Sequence, residues 1–245
     1  PYVRTDKKGT KVLIVQCLNA MHGTMVASLL YHKKFVKSLT DIGFELNPCD
    51  PCIANKMIDG KQMTVCFHVD DCKISHCKRK VVDKMVSYLR KKYESMFEDG
   101  SGKMKVSRGK IHSYLGMKLD YSVRGQVQIT MFDHIEDLIA AFEKAAPKEA
   151  GIKTSAAPNT LFKIDEDCEK LQPAKAVVFH NLVAKTLYVT KRARPDTCTA
   201  VTFLTTRVHE PDKDDWSKLV HLMRYIRGTR KMPLTLSADG SGILK

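Results

Sequence analysis

The stretch T-V-C-F-H-V-D-D-C-K-I-S, residues 64–75, sets two carboxylates side by side between two runs of β-forming residues. Val65, Phe67 and Val69 alternate with Cys66, His68 and Asp70, the period of two that marks a half-buried strand. Asp70 falls on the less apolar face. A second short strand begins around Ile74, so Asp70 and Asp71 stand where the chain must reverse. The spacing predicts a β-hairpin with an acidic tip. Aspartate is a common turn residue in its own right, because its side chain hydrogen-bonds the nearby backbone. Two adjacent aspartates repel, however, and neither neighbour is the glycine that a tight hairpin favours. Clustered carboxylates of this kind also hold Mg²⁺ for phosphoryl transfer.

Outward from the hairpin, Ile53 to Ile58 and Met63 to Val69 flank Asp59-Gly60, a second hairpin signal. Upstream, residues 1–15 read as two strands joined by a polar turn from Asp6 to Gly9. A helix follows, with Leu18, Met21, Met25, Leu29, Leu30 and Phe35 spaced for an apolar face and Gly43 closing it; a turn surrounds Pro48 and Pro51. Downstream, residues 78–94 form a basic amphipathic helix. Val82, Met85, Val86, Leu89 and Tyr93 point inward, and Lys80, Lys84, Arg90, Lys91 and Lys92 outward. Strands are expected at 103–107, 112–121 and 126–130, the last pair turned by Arg124-Gly125. This order predicts an α+β fold, an antiparallel sheet with helices on one face.

From Pro147 to about residue 174 periodicity fades into a segment rich in alanine, lysine, proline and acidic residues, which reads as a surface linker. Three helical patterns follow, at 175–190, 196–208 and 213–228. The last turns Trp216, Leu219, Val220, Leu222, Met223 and Ile226 inward and ends on Arg224, Arg227 and Arg230. No internal repeat is visible.

The 245 residues are 43% hydrophobic, enough to fill a core, which excludes a disordered arm. Lysine plus arginine number 41 against 27 acidic residues, a formal net charge of +14 spread along the chain. That balance favours a polyanionic partner, nucleic acid first. No apolar run approaches the ~18 residues of a membrane span, and no cleavable signal pattern stands at the first residue, so no membrane partner and an intracellular location are expected. The eight cysteines lack the regular spacing of a secreted scaffold, and reduced thiols are expected. Cys49 and Cys52 form the one C-x-x-C. A structural zinc site needs four converging ligands, and with no second pair no zinc is expected.

Taken together, several stretches resemble the reverse transcriptase of copia-type LTR retrotransposons, in family order and over nearly the whole chain. FHVDD at 67–71 resembles the family's YVDD box, and LNAMHGTMVASLLY at 18–31 its L-x-A-L-Y-G helix. IGFELNPCDPCIANK at 42–56 resembles its G-F-x-x-x-x-x-D-x-C turn, and YLGMKLDYS at 114–122 the hairpin that grips the primer end. VAKTLYVTKRARPDTCTAV at 183–201 and LMRYIRGT at 222–229 resemble the helical region that precedes ribonuclease H.

The resemblance implies a polymerase palm over 1–146, a linker over 147–174 and a helical thumb or connection region over 175–245. It implies RNA-directed DNA synthesis on a template-primer with dNTP, by two Mg²⁺ ions. Asp70 would be the principal metal ligand and Asp71 its support, with His68 where tyrosine is usual. Gly23 would approach the nascent base pair; Tyr114, Leu115 and Gly116 would position the primer 3′ end. Arg224 and Arg227 would contact nucleic acid. Fingers, integrase and ribonuclease H segments of a polyprotein would be its neighbours, and a cytoplasmic virus-like particle its location. The chain departs from the pattern at His22, Thr24, Met25 and Ala184. The family's third aspartate, from an earlier strand, has no counterpart: Asp6, Asp41, Asp50 and Asp59 all sit in turns or at a helix end, so the chain is expected to begin downstream of it. A catalytically inactive relic, or a repurposed nucleic-acid-binding module, is the alternative.

Overall fold

A computed structural model of the chain describes residues 2–13, 24–94 and 103–238. The chain divides into two compact units, Pro1–Lys105 and Val106–Lys245.

In the first unit, β1 (Val3–Thr5) and β2 (Lys11–Leu13) pair as an antiparallel hairpin around the polar turn. Helix α1 (Met25–Thr40) leads to a four-stranded antiparallel sheet: β3 (Glu45–Asn47), β4 (Asp50–Ile58), β5 (Lys61–His68) and β6 (Asp71–Ser75), in that spatial order. Helix α2 (Arg79–Tyr93) follows. The alternation along β5 drives the packing. Met63, Val65 and Phe67 point to one face, with Ala54 opposite Val65, and meet Phe35 and Leu39 of α1 and Met85 and Leu89 of α2. Burying each large side chain there contributes roughly 1.5–3 kcal/mol. Asp59 and Gly60 turn β4 into β5 with φ of 50° and 68°, the left-handed pair that a tight hairpin turn requires.

Two expectations fail in this unit. Leu29 and Leu30 are exposed at 53% and 49%; the fully buried apolar residues of α1, Phe35 and Leu39, lie in its C-terminal half. Leu18 and Met21 lie outside the described residues. No strand forms at 103–107; Met104 instead packs on the core, and its N–H donates to Glu94 Oε1 at 2.8 Å.

The second unit holds β7 (Ile111–Tyr114), β8 (Met117–Asp120), β9 (Gln126–Thr130), α3 (Phe132–Ala145), α4 (Pro173–Thr190), a 3₁₀ turn (Pro195–Thr197), α5 (Cys198–Thr206), α6 (Lys213–Gly228) and β10 (Leu234–Ser237). The antiparallel sheet runs β10-β9-β8-β7. Ile135, Leu138 and Phe142 of α3, Phe179 and Leu182 of α4, Val201 and Leu204 of α5, and Leu219, Leu222 and Met223 of α6 form one core. Asp212 and Asp215 close a reciprocal capping box at the start of α6, and Arg207 bridges both carboxylates at 3.1 Å.

Here the expected single strand over 112–121 is two, broken by a turn at Leu115-Gly116. Helix α3 and strand β10 stand where the sequence pattern predicted no element. The 147–172 segment lacks regular elements yet is no loose tether. Leu161 is 2% exposed in the core, and Leu171 N–H donates to Pro211 O at 2.9 Å. Helix α3 packs on α4 and α6 within this second compact unit. Among the described residues no helix is long and apolar enough to cross a membrane.

Candidate functional site

The acidic hairpin forms with the smallest loop a hairpin allows. His68 pairs with Asp71, leaving Val69 and Asp70 as the two turn residues. With Phe67 inward, His68 and Asp71 share the outer face, and His68, Val69, Asp70 and Asp71 are all exposed. Val69 adopts φ 47°. For a β-branched residue that conformation is a genuine outlier, costing on the order of 1–3 kcal/mol. Strain of this kind persists where the surroundings over-determine it, and it clusters at functional sites. Replacing Val69 with glycine is expected to raise the midpoint of thermal unfolding, by about 1 kcal/mol of stability after glycine's own entropic cost. A lower midpoint for Val69→Gly would show that the turn is not strained.

Beside the turn, α1 and the end of β5 enclose an open cavity of about 320 Å³, lined by Leu29, Tyr31, His32, Phe67, His68 and Val69 among others. Tyr31, His32 and Phe67 give it an aromatic lining, with the His32 ring centroid 5.7 Å from that of Phe67, and Phe67 in turn packs on core residue Phe35 with centroids 4.9 Å apart. Tyr31 is pushed up to about 12, first by burial and then by the negative charges of Tyr93, Asp70 and Cys72. It therefore stays a neutral hydroxyl donor at physiological pH. Burial likewise pushes the Cys72 thiol up to about 12 and raises Cys66, so neither supplies a thiolate nucleophile. Asp70 and Asp71 accept no hydrogen bond and form no ion pair through their carboxylates among the described residues. They offer anionic oxygens to solvent, the donor type a hard divalent cation prefers. In number they fall short, for no group of three or more His, Cys, Asp or Glu able to hold a metal converges among the described residues.

The other expected site residues lie elsewhere. Gly23 falls outside the described residues. Tyr114, Leu115 and Gly116 form the β7–β8 turn of the second unit, Leu115 and Gly116 both left-handed at φ 50° and 76°. Arg224 and Arg227 belong to α6 of that unit. Arg227 Nη1 donates to Glu149 O at 2.9 Å, its Nε lies 3.2 Å from Glu143 Oε1, and Arg224 packs on Gly151. These guanidiniums hold the 147–157 strap against α6. Cys49 is exposed, and Cys52 joins the lining of the cavity. Val69 and Tyr31 are the functional candidates that spacing alone does not reveal, since neither residue type announces a left-handed turn or a carboxylate neighbour.

No protein-family model and no solved structure matches the chain. Among curated proteins it is similar to one of Saccharomyces cerevisiae ascribed to transposon Ty5-1, with 24% identity over 217 residues, which cover 87% of this chain and 65% of the relative. The chain thus spans a little under two thirds of that relative's length. The likeness to a transposon protein extends across both compact units of this α+β chain.

Proposed function

We propose that the chain is part of a retrotransposon's RNA-directed DNA polymerase, the acidic hairpin being its metal-binding turn. The observation that carries this reading is the turn itself: two exposed carboxylates with no described partner, set by a valine held at positive φ beside a cavity. Similarity to a transposon protein supports it. Asp70 and Asp71 would hold Mg²⁺, which when bound would acidify a primer 3′ hydroxyl and neutralise charge on the departing pyrophosphate. The chain's own contribution is placement. The β5–β6 ladder fixes both carboxylates at one end of the sheet, and Phe67, one residue before the turn's first pair, anchors that end in the core. Template-directed incorporation that requires both Mg²⁺ and Asp70 tests the reading.

A second reading, a nucleic-acid-binding module without chemistry, is favoured by one observation, the incomplete donor set among the described residues. Both readings require binding to primer-template. With a net charge of +14, affinity is expected to fall steeply with salt, with a log–log slope of about −0.9 for each phosphate neutralised on B-form duplex. A titration that shows no change between low and moderate salt would remove both.

A further inference from the structure

Three arginines follow one another at three-residue intervals at the end of α6, and two of them meet a glutamate of α3. Arg227 Nε lies 3.2 Å from Glu143 Oε1, and Arg230 Nε lies 3.8 Å from Glu136 Oε1. Arg224 forms no ion pair among the described residues. The Nε atoms of Arg224 and Arg227 are both buried without a well-aligned acceptor, so Arg227 has a counter-charge at hand and Arg224 has none. A buried guanidinium left in that state is costly.

The strap lies close along this part of α6. A β-carbon at Gly151, whose φ is 84°, would come 2.8 Å from Arg224 Nη2, and one at Gly228 would come 3.1 Å from Ile152 Cβ. Lys153 N–H donates to Arg224 O at 3.4 Å, and His221 Nε2 donates to Ser155 O at 3.0 Å. The second bond fixes the imidazole tautomer. It also leaves the Ser155 hydroxyl, which donates to Ala157 O at 3.1 Å, 3.4 Å from the same Nε2. Burial first, and then the positive charges of Lys153 and Arg224, hold His221 below its usual 6.5 against the hydrogen bond to Ser155. Both charges that act on the imidazole are therefore positive. An exposed serine hydroxyl, in a segment without regular elements, stands beside a basic cluster that lacks the acid its neighbours along α6 possess.

We propose that Ser155 is a phosphorylation site whose phosphate would be gripped by His221, Arg224 and Lys153, latching the 147–157 strap onto α6. The reaction needs a nucleoside-triphosphate-dependent serine kinase. Ser155 Oγ would attack the γ-phosphorus of ATP, the new O–P bond forming as the bond to the β-phosphate oxygen breaks. ADP would leave, and the hydroxyl proton would pass to the kinase's base. The phosphate would bring close to two negative charges and three strong acceptor oxygens to the cluster, enough for Arg224, Lys153 and a protonated His221 together. The proposal is independent of the polymerase reading.

The full chain purified from yeast would be mapped by mass spectrometry, and the full chain with phosphoserine encoded at position 155 would be titrated by ³¹P NMR, folded and in urea. Phosphate is expected on Ser155, and Ser155→Ala is expected to remove it. The second ionisation of the phosphate, near 6 in an unstructured chain, is expected to fall to about 5 in the folded one, because the basic cluster favours the dianion. Arg224→Gln and Lys153→Gln are each expected to reverse roughly half of that fall, the second at an exposed position where the fold is not at stake. Phosphate on other residues with Ser155 bare would overturn the modification. A second ionisation as high in the folded chain as in urea, or unmoved by both substitutions, would overturn the grip.

Discussion

Asp70→Asn is expected to reduce incorporation by about 10³-fold or more in any form of the protein that extends a primer on a template with Mg²⁺. An amide keeps the shape of the side chain but offers a hard cation no anionic oxygen. Loss of activity must be separated from loss of fold. Asp70 is exposed, and its carboxylate has no hydrogen bond or ion pair among the described residues, so its replacement should change stability by no more than about 0.5 kcal/mol. Relief of repulsion from Asp71 would act in the stabilising direction. Incorporation by Asp70→Asn at the rate of the unmodified protein would show that the hairpin is not the metal site. A folded, duplex-binding protein that never polymerises with Asp70 intact would leave the binding-module reading as the better one.

The acidic hairpin was legible because its signal is local. Alternation along β5 fixes which residues point inward, and two adjacent aspartates leave few places for the reversal. Likewise α6 begins at Lys213 and ends at Gly228 as its pattern predicts, since Asp212 caps one end and the apolar residues keep one period throughout. Elements whose definition depends on a distant partner were not legible. Strand β10 is four residues long and exists through its pairing with β9, more than a hundred residues earlier in the chain. Helix α3 carries a readable period in Ile135, Leu138, Ile139 and Phe142, but its first turn has no side-chain cap and follows β9 directly. The strand pattern at 112–121 concealed a turn because its left-handed residues are Leu115 and Gly116, where only the glycine signals a reversal. The same limit governs the site. Residue types identify Asp70 and Asp71 as ligand candidates, whereas the strain at Val69 and the approach of Arg224 to Gly151 arise from the fold.

The largest single loss of stability is expected at Arg194, which is 1% exposed. Its Nε and Nη2 fork onto Asp196 at 2.9 and 2.8 Å, while Nη1 and Nη2 donate to Thr229 O and Oγ1 at 3.2 and 2.6 Å. Thr229 caps the C-terminus of α6, where unsatisfied carbonyls and the helix dipole both favour a cation. Tyr225 Oη donates to the same Asp196 carboxylate at 2.8 Å, closing the network between the 3₁₀ turn and α6. Arg194→Met is expected to cost about 3 kcal/mol, the lower end for a broken buried pair because Asp196 keeps 27% of its side-chain exposure. Denaturant unfolding of the full chain would measure it. Acid gives an independent check. Burial alone would raise the Asp196 carboxyl, but hydrogen bonds from Arg194 and Tyr225 and the charge of Arg194 outweigh it and hold the group below its usual 3.8. A carboxyl depressed in the folded state contributes stability that is present above the unfolded value and is lost as pH falls through the folded one. The stability gap between the unmodified chain and Asp196→Asn should therefore be constant near neutral pH and narrow below about 3.8. A gap that stays constant into acid would show that the charge of Asp196 does not hold this corner of the fold, and a loss well under 1 kcal/mol for Arg194→Met would show the same for its guanidinium.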